Sequence, residues 1–343
     1  MPNEVLTSAI ECLASCRDLS SDEAAAVLRE VMEGRSSEAE TAAFLVGLRT
    51  KGETVDELVG LARTMRDLAT KVEVDRPDLL DTAGTGGGHP TFNVSTTAAF
   101  VAAGAGCTVA KHGNRSATGR SGSADVLEAL GARIDLEPAA VAECIESVGF
   151  GFMFAPAHHA AMRHVVPVRK ALGVRTIFNF LGPLTNPAGA TRQLIGVSDP
   201  DYMDTIATAL AELGADRALV VSSEDGLDEI GASGPTRAVE LREGRVEARR
   251  ITPEELGVEA APAGAIGAGE PHESAALARK VLDGAPGADR SIVVLTAGAA
   301  IYVAGGADSL EAGARAAEGA IDSGAARAAL ERFVERSREL APS

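Results

Sequence analysis

Long apolar runs are missing from this 343-residue sequence. None reaches the roughly 18 residues that a membrane-spanning helix needs, so no membrane association is expected. The first residues, MPNEVLTSAIECLASC, carry an acid early and no basic cluster, so they do not read as a secretory signal. Cysteine is scarce. Cys12, Cys16, Cys107 and Cys144 make no Cys-x-x-Cys pair and no metal-ligand spacing, which points to reduced thiols in a cytoplasmic protein. Bases are outnumbered, 32 to 49 acids, for a net charge of −17. A chain this acidic lacks the lysine- and arginine-rich surface that nucleic acid requires. No low-complexity tract and no repeat of fixed period occurs. What remains, 45% hydrophobic and 24% charged, is ordinary for a globular chain. Its length predicts one large or two moderate domains with an ample core.

The most informative absence is local. No Asp or Glu occurs from Thr82 to Ala124, 43 residues that hold Lys111, Arg115 and Arg120. None occurs from Ser147 to Ser198, 52 residues that hold Arg163, Arg169, Lys170, Arg175 and Arg192. These stretches carry +8 and the other 248 residues −25. Acids withheld from two separate stretches predict a cleft that focuses positive potential on a small, highly charged anion.

The first 70 residues read as short helices, opened by capping boxes at Ser20–Glu23, Ser37–Glu40 and Thr54–Glu57 and closed near Gly34 and Gly52. From Leu79 the pattern changes to short apolar strands alternating with Ala-rich helices. Strands are expected at Leu79–Ala83, ending near Ala110, at Arg217–Val221 and at Ser291–Leu295. A helix is expected from Ser123 to Leu130, and a hairpin over 237–250 around Glu243-Gly244. The alternation predicts an α/β fold with a mainly parallel sheet.

Four motifs could carry chemistry. Gly84-Thr85-Gly86-Gly87-Gly88, with Thr91-Phe92-Asn93-Val94-Ser95-Thr96 after it, follows a strand and precedes a helix, the geometry that aims free N–H groups at phosphate. It is neither a dinucleotide fingerprint, because His89 stands where a third glycine belongs, nor a P-loop, because no Gly-Lys-Ser/Thr follows. The stretch from Lys111 to Ser123 gathers two cations before Arg120 is counted, four hydroxyls and three glycines. With no carboxylate inside it to pair with those cations, it suits phosphate oxygens. Asp225-Gly226-Leu227-Asp228-Glu229, after a strand, is either a solvated acidic loop or a holder of Mg²⁺ against a phosphorylated ligand. The cationic stretch from His159 to Arg175 could face a second, organic anion; His159 is read as structural.

The combination GTGG…TFNVST, KHGNR…SGSADVLEALG, VRKALGVRTIFNFLGPLTNPA and DGLDE resembles the anthranilate phosphoribosyltransferase family of tryptophan biosynthesis, through most of the chain. The first two motifs are partly shared with pyrimidine-nucleoside phosphorylases; GPLTNPA and DGLDE are more specific. The resemblance implies an α/β fold with a small all-helical domain and a mainly parallel central sheet flanked by helices. Residues 1–70 plus about 165–190 would form the helical, dimerising domain. Residues 71–164 plus about 191–343 would form the α/β domain. It implies phosphoribosyl pyrophosphate held by Gly84, Gly87, Gly88, Thr91, Asn93, Val94, Ser95, Thr96, Lys111, His112, Gly113, Asn114, Arg115, Ser116, Ala117, Thr118, Gly119 and Ser123. Anthranilate would meet Gly84, Asn114 and Arg169. Two Mg²⁺ would be held by Ser95, Asp228 and Glu229. The chain departs from the family pattern twice: an Asp is missing after GTGG, and Ser222-Ser223 stands where His-Gly is common. The implied reaction is displacement at the ribose C1 by the anthranilate amine, with Lys111 and Arg169 acting electrostatically and no general acid or base. The alternatives are a pyrimidine-nucleoside phosphorylase-like enzyme and a non-catalytic relative that binds nucleic acid.

Overall fold

The computed structural model describes residues 2–116, 120–267 and 269–342. Its first four helices are α1 (Glu4–Ala14), α2 (Ser21–Met32), α3 (Glu38–Lys51) and α4 (Val55–Leu68). The last three start where the capping pairs predict. The hydroxyls of Ser20, Ser37 and Thr54 accept from the N–H groups of Glu23, Glu40 and Glu57, whose carboxylates take the cap N–H at 2.8, 2.8 and 2.9 Å. Each reciprocal cap stabilises its helix by about 1 kcal/mol.

The remainder is a seven-stranded sheet flanked by helices. Its strands are β1 (Leu80–Gly84), β2 (Val109–Gly113), β3 (Phe150–Phe154), β4 (Arg192–Gly196), β5 (Arg217–Ser223), β6 (Thr236–Arg242) and β7 (Arg245–Ile251). They lie in the order β3-β2-β1-β4-β5-β6-β7, with β1 to β5 parallel and β6 and β7 antiparallel. The last two are the expected hairpin. Its turn residues Glu243 and Gly244 both have positive φ, 54° and 73°, as a two-residue turn matched to strand twist requires.

The later helices are α5 (Val94–Gly104), α6 (Ser123–Leu130), α7 (Pro138–Val148), α8 (Ala155–His158), α9 (Val166–Leu172), α10 (Phe178–Leu181), α11 (Met203–Glu212), α12 (Pro271–Leu282), α13 (Ala288–Val303), α14 (Leu310–Asp322) and α15 (Ala325–Glu339). One expectation is corrected here: Ser291–Leu295 is not a strand but lies inside α13. Ile292 to Val303 is buried without interruption, and a helix buried on every side has no polar face to reveal its period. Gly298 of α13 faces Gly313 of α14, where a Cβ on Gly298 would come within 2.6 Å of the Ala314 nitrogen. The glycines let these two backbones touch.

The sheet separates two cores. Leu194, Leu219 and Val221 join α5, α13 and α14 on one face. On the other, Ile195, Ala218 and Val220 join α1 to α4, residues 165–184 and α11. The alternation along β4 and β5 thus ties the helical part directly to the sheet. Residues 165–184 pack with the first helices, α9 on α3 and α10 on α4.

Candidate active site

Strand order locates the crevice. From β1 the sheet grows one way through β2 and β3 and the other way through β4 and β5. Ligands of open parallel sheets bind at the carboxyl ends of the strands beside such a reversal. The glycine loop leaves β1 there, the 114–122 loop leaves β2, and the acidic loop leaves β5.

The acidic loop folds onto the glycine loop. The His89 N–H donates to the Gly226 carbonyl at 2.9 Å. A Cβ on Gly84 would stand 3.1 Å from Asp228 Oδ2, and one on Gly88 would stand 2.8 Å from both Asp228 N and Oδ1. Glycine at 84 and 88 is therefore what admits the Asp228 carboxylate to the end of β1. At the head of the acidic loop, the hydroxyls of Ser223 and Ser233 both hold the Asp225 carboxylate. Ser223 thus braces the loop, and Asp225 is occupied with that brace.

A buried polar chain lies under the loops. The Lys111 ammonium, 2% exposed, donates to the Thr82 carbonyl and, at 3.1 Å, to Thr82 Oγ1. Thr82 Oγ1 in turn donates to the Ser95 carbonyl at 3.2 Å. Asp81 accepts from Asn186 Nδ2 at 2.7 Å and from the His112 N–H at 3.1 Å. Burial pushes the Asp81 carboxyl up to about 6, against the pull of Lys111. Burial lowers the Lys111 ammonium, against Asp81 and Glu229. Glu229 is driven up to about 8, first by burial and then by the neighbouring Asp228 charge, while Lys111 and the Ser95 N–H oppose the rise. Burial also raises Asp228. These adjacent carboxylates are hard oxygen ligands short of positive charge, and a divalent cation of the Mg²⁺ type fits that donor set.

Asn93 stands at the N-terminal end of α5, where its side chain ties the first loop to the second instead of capping the helix. Its Nδ2 donates to the Ser121 carbonyl at 3.1 Å, and the Ser121 hydroxyl donates back at 2.7 Å. Ser123 donates to the Asn114 carbonyl at 3.2 Å, over Gly113, where any Cβ would overlap the Ser123 hydroxyl. Val94 and Thr96 are buried on α5, and the Thr96 hydroxyl has no partner among the described residues. Thr91 lies in the loop ahead of α5. Ala117, Thr118 and Gly119 lie outside the described residues.

Several placements differ from the expectations. Arg115 is not an unpaired cation: its guanidinium bonds Asp125 at 2.9 Å and Glu128 at 2.6 and 2.9 Å. Both acids sit on α6, just past the end of the acid-free stretch, so a count within the stretch cannot find them. Asp125 also accepts from the Ser116 N–H at 3.1 Å. The His112 side chain turns inward, its Nδ1 3.2 Å from the Gly182 carbonyl and its ring 5.1 Å from that of His159. Burial holds both histidines well below the usual imidazole range, at about 3 and about 4. Arg175 is taken up by the glycine loop. Its Nη1 donates to the Gly86 carbonyl at 2.6 Å.

Arg169, on α9, keeps its guanidinium over the Phe178 ring at 5.5 Å and has no carboxylate partner among the described residues. Residue counting missed Asp81 and Asn186. A charged residue in the apolar run Leu79-Leu80-Asp81-Thr82-Ala83 was the available signal for the first.

Two models of one family match the chain: the helical bundle domain of the glycosyl transferase family over residues 7–69, and its a/b domain over residues 76–327. Helical bundle, α/β domain and a site at the strand ends together define that class. Within it, anthranilate phosphoribosyltransferase of Rubrobacter xylanophilus is 55% identical over 340 residues, covering 98% of this chain and 99% of its own length. That of Thioalkalivibrio sulfidiphilus is 52% identical over 330 residues, with 96% and 98% covered. The solved anthranilate phosphoribosyltransferase of Thermus thermophilus superposes with a TM-score of 0.91 at 47% identity, covering 96% of this chain and 99% of its own. The Saccharomyces cerevisiae enzyme, solved in complex with phosphoribosyl pyrophosphate and Mg, gives 0.90 at 27% identity, with 98% and 99% covered. The chain belongs to the anthranilate phosphoribosyltransferase family.

Proposed function

We propose that this chain transfers the phosphoribosyl group of 5-phosphoribosyl 1-pyrophosphate to the amine of anthranilate, releasing pyrophosphate, as a step of tryptophan biosynthesis. One observation carries the reading: at the strand-order reversal Asp228 is folded against the glycine loop, and its neighbour Glu229 lies within electrostatic reach of the buried Lys111. That is a cation-holding pair beside a phosphate-holding loop. A nucleoside phosphorylase or a nucleic-acid binder gives this pairing no task.

The glycine loop, Asn93 to Thr96 and the 111–123 segment would hold the donor, with Gly84, Asn114 and Arg169 toward anthranilate. Asp228, Glu229 and Ser95 would hold Mg²⁺, two ions per site. Bound there, Mg²⁺ would offset the charge of the departing pyrophosphate. Lys111, fixed through Thr82, adds positive potential to the same crevice in its protonated form, strengthened by its dry surroundings. Arg169, whose fork has no carboxylate partner among the described residues, suits the anthranilate carboxylate. The aromatic amine is neutral at pH 7 and attacks C1 as the C1–O bond to pyrophosphate breaks; the amine proton then leaves to solvent. Catalysis is positioning and charge neutralisation. His112 and His159, buried and neutral, are not used as acids or bases.

We also propose a cytoplasmic homodimer. Val5 on α1 and Val46 on α3 expose 38% and 43% of their surface, and no helix among the described residues is long and apolar enough to cross a membrane. Sedimentation would read the dimer. The function is tested by mixing protein, anthranilate, phosphoribosyl pyrophosphate and Mg²⁺ and following anthranilate fluorescence. Loss of signal that needs the protein, phosphoribosyl pyrophosphate and Mg²⁺ together is expected, and a steady signal refutes the assignment.

A further inference from the structure

Arg175 reaches the glycine loop from the turn between α9 and α10. Besides the bond to Gly86, its Nη2 stands 3.4 Å from the Thr85 carbonyl. Ser198, just past β4, completes the grip: its hydroxyl donates to the Gly86 carbonyl at 2.8 Å and its N–H to Thr85 Oγ1 at 3.2 Å. Gly87, at φ 89°, lies so close that any Cβ would overlap the Arg175 fork.

Arg175 is itself anchored in the helical part. The Arg49 guanidinium of α3 donates to its carbonyl. Its own guanidinium lies 6.0 Å from the Phe180 ring. Phe180 stacks on Tyr202 at 4.2 Å, and the Tyr202 hydroxyl donates to Glu53 Oε2 at 2.6 Å.

The consequence follows from peptide planarity. A carbonyl and the N–H of the next residue point in opposite directions across one rigid plane. Holding the Thr85 and Gly86 carbonyls toward Arg175 and Ser198 therefore turns the Gly86 and Gly87 N–H groups the other way, the Gly86 N–H onto the Asp228 carboxylate. Gly86 and Gly87 both have positive φ, 63° and 89°, and successive N–H groups in such a turn form an anion-binding hollow.

We propose that Arg175 is a positioning residue for the phosphoribosyl donor: a strut from the helical part that sets the glycine loop by its carbonyls, seats the Gly86 N–H on Asp228 and aims the Gly87 N–H at phosphate. It acts on the loop and not on the ligand. The proposal rests on the reading of the crevice as the donor site.

The test uses the full-length protein as Arg175→Ala, Arg175→Lys and Ser198→Ala. The KM for phosphoribosyl pyrophosphate should rise by about ten- to a hundredfold in Arg175→Ala, with the anthranilate KM moved by less than about threefold. Ser198→Ala, which removes no charge, should shift the donor KM in the same direction by a smaller factor. Arg175→Lys should stay impaired, because an ammonium cannot grip two carbonyls as a fork. Added guanidinium should restore part of the Arg175→Ala loss.

A donor KM within twofold of wild type in Arg175→Ala overturns the proposal. So does full recovery in Arg175→Lys, or an unchanged donor KM in Ser198→Ala. Should Arg175→Ala not fold, Ser198→Ala decides alone. A wild-type protein that turns over no anthranilate refutes the assigned activity instead. Calorimetric binding of phosphoribosyl pyrophosphate with Mg²⁺ then still compares the variants.

Discussion

Replacing Gly88 by Ala isolates the seat of the acidic loop. Gly88 does not have positive φ, so alanine adds no backbone strain and the effect is steric. The new methyl would lie 2.8 Å from Asp228 N and Oδ1 and 3.0 Å from the Gly226 carbonyl oxygen. Ordinary carbon contacts begin near 3.5 Å, so Asp228 must retreat by about 0.7 Å. Crowding of this kind costs about 1–3 kcal/mol of stability. A shift of that size at a ligand-holding carboxylate should lower kcat/KM by about ten- to a hundredfold. Urea unfolding reads the first quantity, and fluorescence turnover over a Mg²⁺ titration reads the second. Gly234→Ala, in the same loop but with nothing within 4 Å of its Cβ, should leave both at wild-type values. A Gly88→Ala protein that loses stability yet keeps wild-type turnover and Mg²⁺ response would refute the reasoning, because the position of Asp228 would then not matter to the chemistry.

Other consequences are as direct. Arg169→Ala should raise the anthranilate KM by about tenfold or more and the donor KM far less, since a charged hydrogen bond is worth about 1.5–3 kcal/mol; equal shifts in both would remove Arg169 from the anthranilate site. Asp228→Asn combined with Glu229→Gln should abolish Mg²⁺-dependent turnover while circular dichroism stays native. His159, held at about 4 in the fold, has a depressed pKa, so its unfolded form binds the proton first as pH falls. Its share of stability is complete above about 6.5 and is lost between there and about 4, amounting to at most about 3 kcal/mol. In urea melts His159→Gln should therefore show a shallower acid slope over that window than the wild type, and an identical slope would contradict the burial argument.

The fold was legible where local chemistry decides it. Capping pairs mark three helix starts, and Glu243-Gly244 marks the hairpin. Strand–glycine–helix spacing and the acid-free stretches pointed to the loops that the sheet gathers on one edge. What stayed hidden depends on contacts across the chain. α13 was misread because continuous burial erases its period. The pairing of Arg115 was missed because its acids lie 10 and 13 residues onward, on α6. The grip of Arg175 on the Gly86 carbonyl joins residues 89 apart, and the sequence marks only the cation.

A crystal structure of the protein grown with phosphoribosyl pyrophosphate and Mg²⁺ tests the central claim most directly. The donor should lie in the crevice between β1 and β4, its phosphates against the glycine loop and the 114–123 segment and its cations on Asp228 and Glu229. A donor bound away from that crevice, with the two carboxylates still bare, would contradict the account.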